Sequence, residues 1–429
     1  MAEPSPSLWA SVSAPADVYP NLVGDQTATA VVIGAGFTGL STALHLAQAG
    51  CDVIVVEADA PGFGASGRNN GQVIPTLTRP NPDDIVKAYG AAGERLVGLI
   101  RDSADYLFDL ARGLGLEAEA EQTGWVQPAH SPGRLKLSEA RVRQWNKHGA
   151  RAVLHDRAEM GAITGSDAWF GGFSIPSGGH INPLALSRAL ARAAARAGVR
   201  IFCRSPAQAF QRENGRWIVE AAQGRVRADM LVLATHGYTD FFAPALAPDL
   251  AREIVPVLSW QMATEPLPEA VRATLLPGRP AMSDTHGDLH FARYDARNRL
   301  VTGGALAFAL NGRARLKPRI AARLKRLWPQ IGDVRFDYVW NGRISMTTDY
   351  LPRAHRLGPG GLAWAGCNGR GVALSVSLGR EMARSLLGAP DHEVALPLVD
   401  PRPLPMHGIL RAIAPLKILE YRARDRMEM

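Results

Sequence analysis

Residues Ala28 to Asp59 read ATAVVIGAGFTGLSTALHLAQAGCDVIVVEAD, and few architectures accommodate that order. Val31, Val32 and Ile33 form a β-branched apolar run that predicts a buried strand. Gly34, Gly36 and Gly39 follow at G-x-G-x-x-G spacing. Phe37 and Thr38 open a helical pattern carried on by Leu40, Ala43, Leu44, Leu46 and Ala47, which stops at Gly50. Val53 to Val56 make a second apolar strand ending on Glu57. The spacing has a mechanism. Gly34 makes the tight turn, Gly36 lets backbone approach a pyrophosphate, and Gly39 lets the helix pack close on the strand. Free N–H groups and the positive helix end hold the pyrophosphate. Glu57 lies 18 residues past Gly39, where a carboxylate can accept from ribose hydroxyls. The stretch therefore predicts dinucleotide binding, without choosing between NAD and FAD.

The 429 residues suit two domains, or two interwoven ones. The formal charge of +8 is spread, mostly as Arg, along helices such as 188–196. It forms no basic block with interleaved aromatics, which argues against nucleic-acid binding. Cys51, Cys203 and Cys367 are odd in number and far apart, so neither a disulfide framework nor a metal site is expected, and a reducing compartment is. The N-terminus lacks a basic region followed by an apolar core, and no apolar run reaches membrane-spanning length. A cytoplasmic protein is the expectation.

Residues 1–26 read as an arm with Trp9 as an anchor. Pro61 to Pro75 is dense in Gly and Asn. It is either a plain surface loop or one held against a cofactor through Ser66, Arg68, Asn69 and Gln72. Residues 83–114 and 131–148 are helical, and Asn182 caps a helix that Pro183 opens. Strands are expected at 124–127, 171–175, 199–202, 217–220, 230–234, 254–264, 336–342 and 362–365, with a hairpin of 288–294 and 299–303. Gly369 and Gly371 precede a second helix, and the basic, amphipathic tail 409–429 is expected to dock on the body, with membrane-surface contact as the alternative.

Taken in order, GAGFTGLSTALHLAQAG with Glu57, ASGRNNGQ, GHINP, ADMLVLATHGYT, NRLVTGG, WNGRISMTTDYLP and GCNGRGVAL resemble the D-amino acid oxidase/glycine oxidase family of FAD-dependent oxidoreductases. Within it they look most like the gamma-glutamylputrescine oxidoreductase-like branch. The resemblance implies an α/β fold, a Rossmann-like FAD-binding domain interwoven with an α+β substrate domain built on an antiparallel sheet. The FAD domain would comprise 27–80, 176–240 and 341–389, the substrate domain 81–175 and 241–340, and 390–429 would be a tail. It also implies that Ser66, Arg68, Asn69 and Gln72 flank the flavin and that Ala207 meets adenine. Ala234 and Thr235 would lie along the dinucleotide, and Gly369, Arg370, Gly371, Val372 and Ala373 would present N–H groups to the flavin edge. Sarcosine oxidase-like members attach FAD through a cysteine shortly before a Thr-Pro-Asp stretch. Gly342 stands at about that position here, so non-covalent FAD is expected. Those oxidases also use a lysine for oxygen activation, and this chain has none between Lys147 and Lys317.

The expected chemistry is oxidation of an amine or amino acid at its C–N bond, with hydride passing to flavin N5 and the imine hydrolysing. Molecular oxygen or another acceptor would take the electrons. Pocket candidates are His290 and Tyr294, set on one strand face opposite Arg293, and the loop residues Arg343 and Arg370. Either arginine suits a substrate carboxylate, and for Arg370 a bracing ion pair is the competing role. Asp349 would pair with one of these arginines or hold an amine. Three rival readings stay open: a flavin dehydrogenase using an acceptor other than oxygen, an NAD-dependent dehydrogenase, and a non-catalytic flavin-binding protein.

Overall fold

The computed structural model describes residues 6–288, 290–307 and 311–428. Residues 1–5 of the expected arm, Leu289 of the expected hairpin and Met429 of the tail lie outside the described residues. The strand Gly24–Ile33 is the axis of an eight-stranded sheet. It pairs in parallel with Val53–Val56 on one side and with Gly224–Leu233 on the other. Val53–Val56 continues in parallel to Arg200–Phe202, and Gly224–Leu233 to Gly361–Ala365. The parallel strands are buried on both faces, which explains their unbroken Val/Ile/Leu runs. Ala207–Glu213 and Arg216–Ala221 extend the sheet as an antiparallel meander.

The helix Phe37–Gln48 follows the first strand, and the helix Gly371–Leu386 packs beside it. Close approach is enforced at two glycines. A Cβ on Gly39 would stand 2.0 Å from the Gly34 carbonyl oxygen, and one on Gly379 would stand 2.7 Å from Ser41 Cβ. Ser41 Oγ donates to the Val376 carbonyl at 2.7 Å and Thr42 Oγ1 to that of Gly379 at 3.0 Å. The N-termini of both helices thereby open on the same side of the sheet.

A second eight-stranded sheet runs 336–346, 255–266, 299–304, 291–294, 281–283, 125–128, 172–175, 153–155. It is antiparallel except where Ala281–Ser283 runs parallel to Trp125–Pro128. Its core gathers Trp260, Met262, Met282, Tyr294, Leu300 and the helix Gly312–Leu327. A three-stranded sheet of Gln72–Val73, Gly179–Ile181 and Ala120–Glu121 lies between, and Gln72 Nε2 donates to the Met282 carbonyl of the second sheet at 2.8 Å. No helix among the described residues is long and apolar enough to cross a membrane.

Trp9, in the short helix Leu8–Val12, is buried. Its indole N–H donates to the Asn69 carbonyl at 2.8 Å, and its ring meets Trp340 edge-on at 5.9 Å. The single helix expected over 83–114 is two, Pro82–Tyr89 and Ala91–Gly113, because Gly90 adopts φ +57° between them. The tail forms helices His407–Ile413 and Lys417–Met427, laid on the body.

Candidate active site

One large cleft, about 1440 Å³, lies between the two sheets, and residues from both line it together with the C-terminal helices. Its floor is the glycine turn. A Cβ on Gly34 would meet the Ala234 backbone carbonyl oxygen at 2.9 Å at a φ of +107°, so only glycine fits there, and one on Gly36 would crowd Ser66 Oγ at 2.9 Å. Gly36 caps the helix Phe37–Gln48 with no side chain, and Ser66 Oγ accepts from the Phe37 N–H at 3.0 Å. Glu57 is buried at the cleft floor. Its Oε2 accepts from the Ala35 N–H at 2.6 Å and its Oε1 from the Asp59 N–H at 3.0 Å. Burial raises its pKa, and the two backbone donors pull the other way.

The glycine-rich loop residues share these walls. Arg68 Nε donates to the Asn341 carbonyl at 2.6 Å. Asn69 braces its own loop, accepting from the Gly71 N–H at 2.7 Å and donating to the Ala65 and Ser66 carbonyls. Gln72 leaves Oε1 buried without a partner. Gly342, Gly369, Gly371, Val372, Ala207, Ala234 and Thr235 all line the cleft. The helix Gly371–Leu386 begins with no side-chain cap, so its first N–H groups stay available. The neighbouring His236, pushed down to about 4 by burial, is a neutral imidazole whose Nε2 accepts from the Cys367 N–H at 3.1 Å.

Several expected contacts are elsewhere. Thr38, Gly39 and Ala373 do not line the cleft. Thr38 Oγ1 accepts from the Trp364 indole at 2.9 Å, Gly39 faces the strand, and Ala373 is buried. Tyr294 points into the core of the second sheet, where its hydroxyl donates to the Leu275 carbonyl at 2.8 Å. Arg293, on the opposite face, donates to the carbonyls of Asn70, Tyr294 and Ile181, and Phe291 of the same strand lines the cleft instead. His290 lies behind the wall, with Nδ1 3.1 Å from Asp284 Oδ2. His286, stacked on it at 4.2 Å, is the imidazole that reaches the cleft. Asp349 is half-exposed outside the cleft and pairs with Arg353 at 2.5 Å, with neither Arg343 nor Arg370.

Both arginines line the cleft, in different settings. Arg343 is 3.7 Å from Asp240 and lies over the Phe241 ring at 4.4 Å. Arg370 is buried. It donates to Thr76 Oγ1 and stacks 4.6 Å over Trp125, and it makes no ion pair among the described residues, so the expected bracing pair is missing.

Sequence reasoning missed two groups. Arg141 is buried on the face Ser138, Arg141, Val142, Trp145 of the helix Pro132–Lys147, and an arginine in a buried stripe was the available signal. Asp284 is fully buried with His286 Nδ1 at 2.5 Å. Burial alone would raise Asp284, but His290 and His286 outweigh it and hold the carboxyl well below its usual range. Reciprocally, burial would lower His286, but Asp284 outweighs that and raises it.

The cleft suits a long, two-ended cofactor. It offers a glycine turn, the helix start at Phe37 met by Ser66 Oγ, the uncapped helix start at Gly371, an orphaned amide oxygen and a buried carboxylate in one groove.

Comparison with known proteins agrees. The family model described as DAO, FAD dependent oxidoreductase, matches residues 29–385. The chain is 29% identical to gamma-glutamylputrescine oxidoreductase of Escherichia coli, over 100% of both chains. It is 32% identical to a Haemophilus influenzae protein named "Probable oxidoreductase OrdL", over 86% of this chain and 85% of that one. Among solved structures, glycine oxidase from Geobacillus kaustophilus superposes with a TM-score of 0.71 at 19% identity, covering 84% of this chain and 95% of that one. L-proline dehydrogenase from P. horikoshii gives 0.72 at 18%, covering 88% and 97%.

Proposed function

Because the chain belongs to the FAD dependent oxidoreductase family whose model spans residues 29–385, we propose that it oxidises the C–N bond of a small amine or amino acid. The observation that carries this reading is the convergence of the helix starts at Phe37 and Gly371 on one cleft that the second sheet closes. When bound, FAD would supply the two-electron acceptor for oxidation at the substrate's α-carbon.

This chain's residues would do the rest. The turn at Gly34 and Gly36, with the start of the helix Phe37–Gln48, would hold the pyrophosphate, and Glu57 the ribose end. Arg68, Gln72 and the 369–372 loop would flank the flavin ring, and the free N–H groups at Gly371 would stabilise negative charge there. Binding would be non-covalent: Gly342 has no side chain to react, and burial raises the Cys367 thiol, which is therefore not a thiolate. Arg343 and Arg370, from opposite settings in the cleft, would orient substrate. The neutral His236 fixes the 367 backbone, and through it the loop that begins the flavin-side helix.

Apart from residues 24–26 of the strand Gly24–Ile33, the first-sheet strands fall in 27–80, 176–240 and 341–389, and those of the second fall mainly in 81–175 and 241–340. That supports the proposed interwoven division into FAD and substrate domains. The acceptor that regenerates the enzyme is oxygen or another electron carrier. Lys417 is the cleft-lining lysine among the described residues, and it pairs with Glu420 at 2.5 Å.

The test is turnover of an amine panel with an artificial dye acceptor, in parallel with peroxide detection under air. Carbonyl product and released amine or ammonia are expected. A flavin-loaded protein that produces neither from any panel member would reject the reading. Peroxide without dye reduction would assign oxygen as acceptor, and the reverse would assign a carrier.

A further inference from the structure

The exposed apolar surface of this chain is concentrated in its last two helices. Met406, Ile409, Ile413, Leu416, Leu419 and Met427 are each between 41% and 79% exposed, and they are six of the twelve large hydrophobic side chains exposed among the described residues. With the exposed Ala423 they recur at steps of three or four residues, which keeps them on one side of a helical path. Single exposed hydrophobics are ordinary, but a continuous stripe marks a contact surface. The stripe faces outward because the opposite side is taken up by the body. Ile418 is buried, His407 Nε2 is 2.7 Å from the Ile254 carbonyl oxygen, and Arg411 pairs with Asp240. Asp425, Arg422 and Glu428 hold Gly287, Asp288 and Arg134. The orientation of both helices is thus fixed before any partner arrives. Ile413 and Leu416 also line the cleft, so the stripe runs along its rim. Leu137, exposed and cleft-lining as well, stands one helical turn past Arg134 and carries the apolar rim onto the helix Pro132–Lys147.

Charge says what covers it. Residues 401–429 carry six Lys or Arg against three Asp or Glu. The helix Gly312–Leu327 adjoins them, since Arg319 and Arg422 share Asp288, and it carries seven Lys or Arg and no acid. Arg313, Arg326, Arg402 and Arg426 are exposed and make no ion pair among the described residues. A second copy of this chain would set that positive surface against itself across a twofold axis. A negatively charged lipid surface complements both the stripe and its cations.

We infer that the C-terminal helices His407–Ile413 and Lys417–Met427 form an interfacial docking face for an anionic lipid bilayer. The stripe enters the boundary between headgroups and acyl chains, and the exposed guanidinium groups meet lipid phosphates. Docked this way, the rim of the cleft lies at the membrane surface. Neither contact needs turnover, so lipid binding stands apart from the amine reaction.

The test is co-sedimentation of the purified chain with vesicles of phosphatidylglycerol and phosphatidylcholine in equal parts, against vesicles of phosphatidylcholine alone. Wild type should pellet with the anionic vesicles and much less with the neutral ones. Raising salt to about 1 M, where the Debye length is about 3 Å, should weaken the anionic binding. Ile409→Asp combined with Leu419→Asp sets two carboxylates on the stripe at positions that do not line the cleft. That variant should bind anionic vesicles roughly ten- to a hundredfold more weakly, while keeping its flavin and its turnover with a soluble dye. Ile409→Leu combined with Leu419→Ile should bind as wild type does.

Wild type that stays in the supernatant with both kinds of vesicle would overturn the docking face. So would equal pelleting with anionic and neutral vesicles, a comparison that stands even if the aspartate variant fails to fold. An aspartate variant that binds anionic vesicles as tightly as wild type would reduce the contact to adsorption of charge and reject the stripe. A concentration-dependent dimer that the aspartate variant dissolves, in a protein that binds no vesicle, would assign the stripe to a second copy and likewise overturn it. Vesicle binding that depends on Ile409 and Leu419, in a protein that oxidises no amine, would uphold the docking face and sink the reaction.

Discussion

Glu57 ends its strand with both carboxylate oxygens already accepting from the backbone, at Ala35 and Asp59. The ribose role expected of it is thus joined by a structural one, holding the glycine turn in shape. Glu57→Gln removes the charge and offers one acceptor for two N–H donors, so the turn loosens. The FAD dissociation constant should rise roughly tenfold or more, the scale of one charge-assisted hydrogen bond. An unchanged constant by fluorescence titration would free Glu57 of both roles. His236 carries a pH consequence. Burial alone holds it at about 4 against an ordinary 6.5. The unfolded chain takes up a proton as pH falls through that window and the folded chain does not, so stability declines from pH 6.5 to 4 and is level above. His180 at about 3 and His290 at about 4 add slopes of the same sign. Replacing His236 with Gln, a neutral acceptor, should flatten the urea-unfolding profile by on the order of 3 kcal/mol at most. A slope identical to wild type would show that His236 does not titrate alone in this way.

Packing of the elements around the turn depends on absent side chains. Gly39→Ala would drive a Cβ to 2.0 Å from the Gly34 carbonyl oxygen, which is backbone and cannot yield, so folding or FAD binding should fail. Gly98, inside the helix Ala91–Gly113, has nothing within 4 Å of its missing Cβ, and alanine there should stabilise by roughly 0.5–1 kcal/mol. Thermal melts of the two variants test the claims separately: Gly39→Ala folding, binding FAD and melting with wild type would contradict the first, and Gly98→Ala melting no higher than wild type the second. Elements with strong local signals were legible in the chain. Val53–Val56 and the Asn182–Pro183 helix start, where Asn182 Oδ1 accepts from Leu184 and Ala185 N–H, are as expected. The strand Ala207–Glu213 was not, because after Ala207 it is largely solvated and polar, leaving no apolar alternation to read. Thr38 sits within the fingerprint yet serves helix packing through Trp364, a partner 326 residues away that periodicity cannot reveal.

At the scale of the molecule the cleft is a convergence of distant segments. Its glycine floor was legible because close backbone approach leaves glycine in the sequence. Its Arg141 wall, the Asp284–His286 pair and the C-terminal cover were not, since each depends on which surfaces meet. The helix Lys417–Met427 is tied down by Asp425 accepting from the Gly287 N–H at 2.9 Å, by Arg422 and Asp288 at 2.9 Å, and by Glu428 with Arg134 at 2.7 Å. Tyr421 meets the Tyr350 hydroxyl at 2.6 Å across the cleft edge. Deleting residues 406–429 should leave the two-sheet body folded and raise iodide quenching of flavin fluorescence, and quenching equal to the full chain would show that the tail covers nothing.

Anaerobic spectroscopy of the purified protein reads both whether this cleft binds FAD and whether an amine delivers electrons to it. The protein should be yellow, acid precipitation should release the flavin into the supernatant, and an amine from the panel should bleach the visible band without oxygen. A colourless protein that binds no added FAD, or a yellow one that no amine bleaches while dithionite does, would contradict the account.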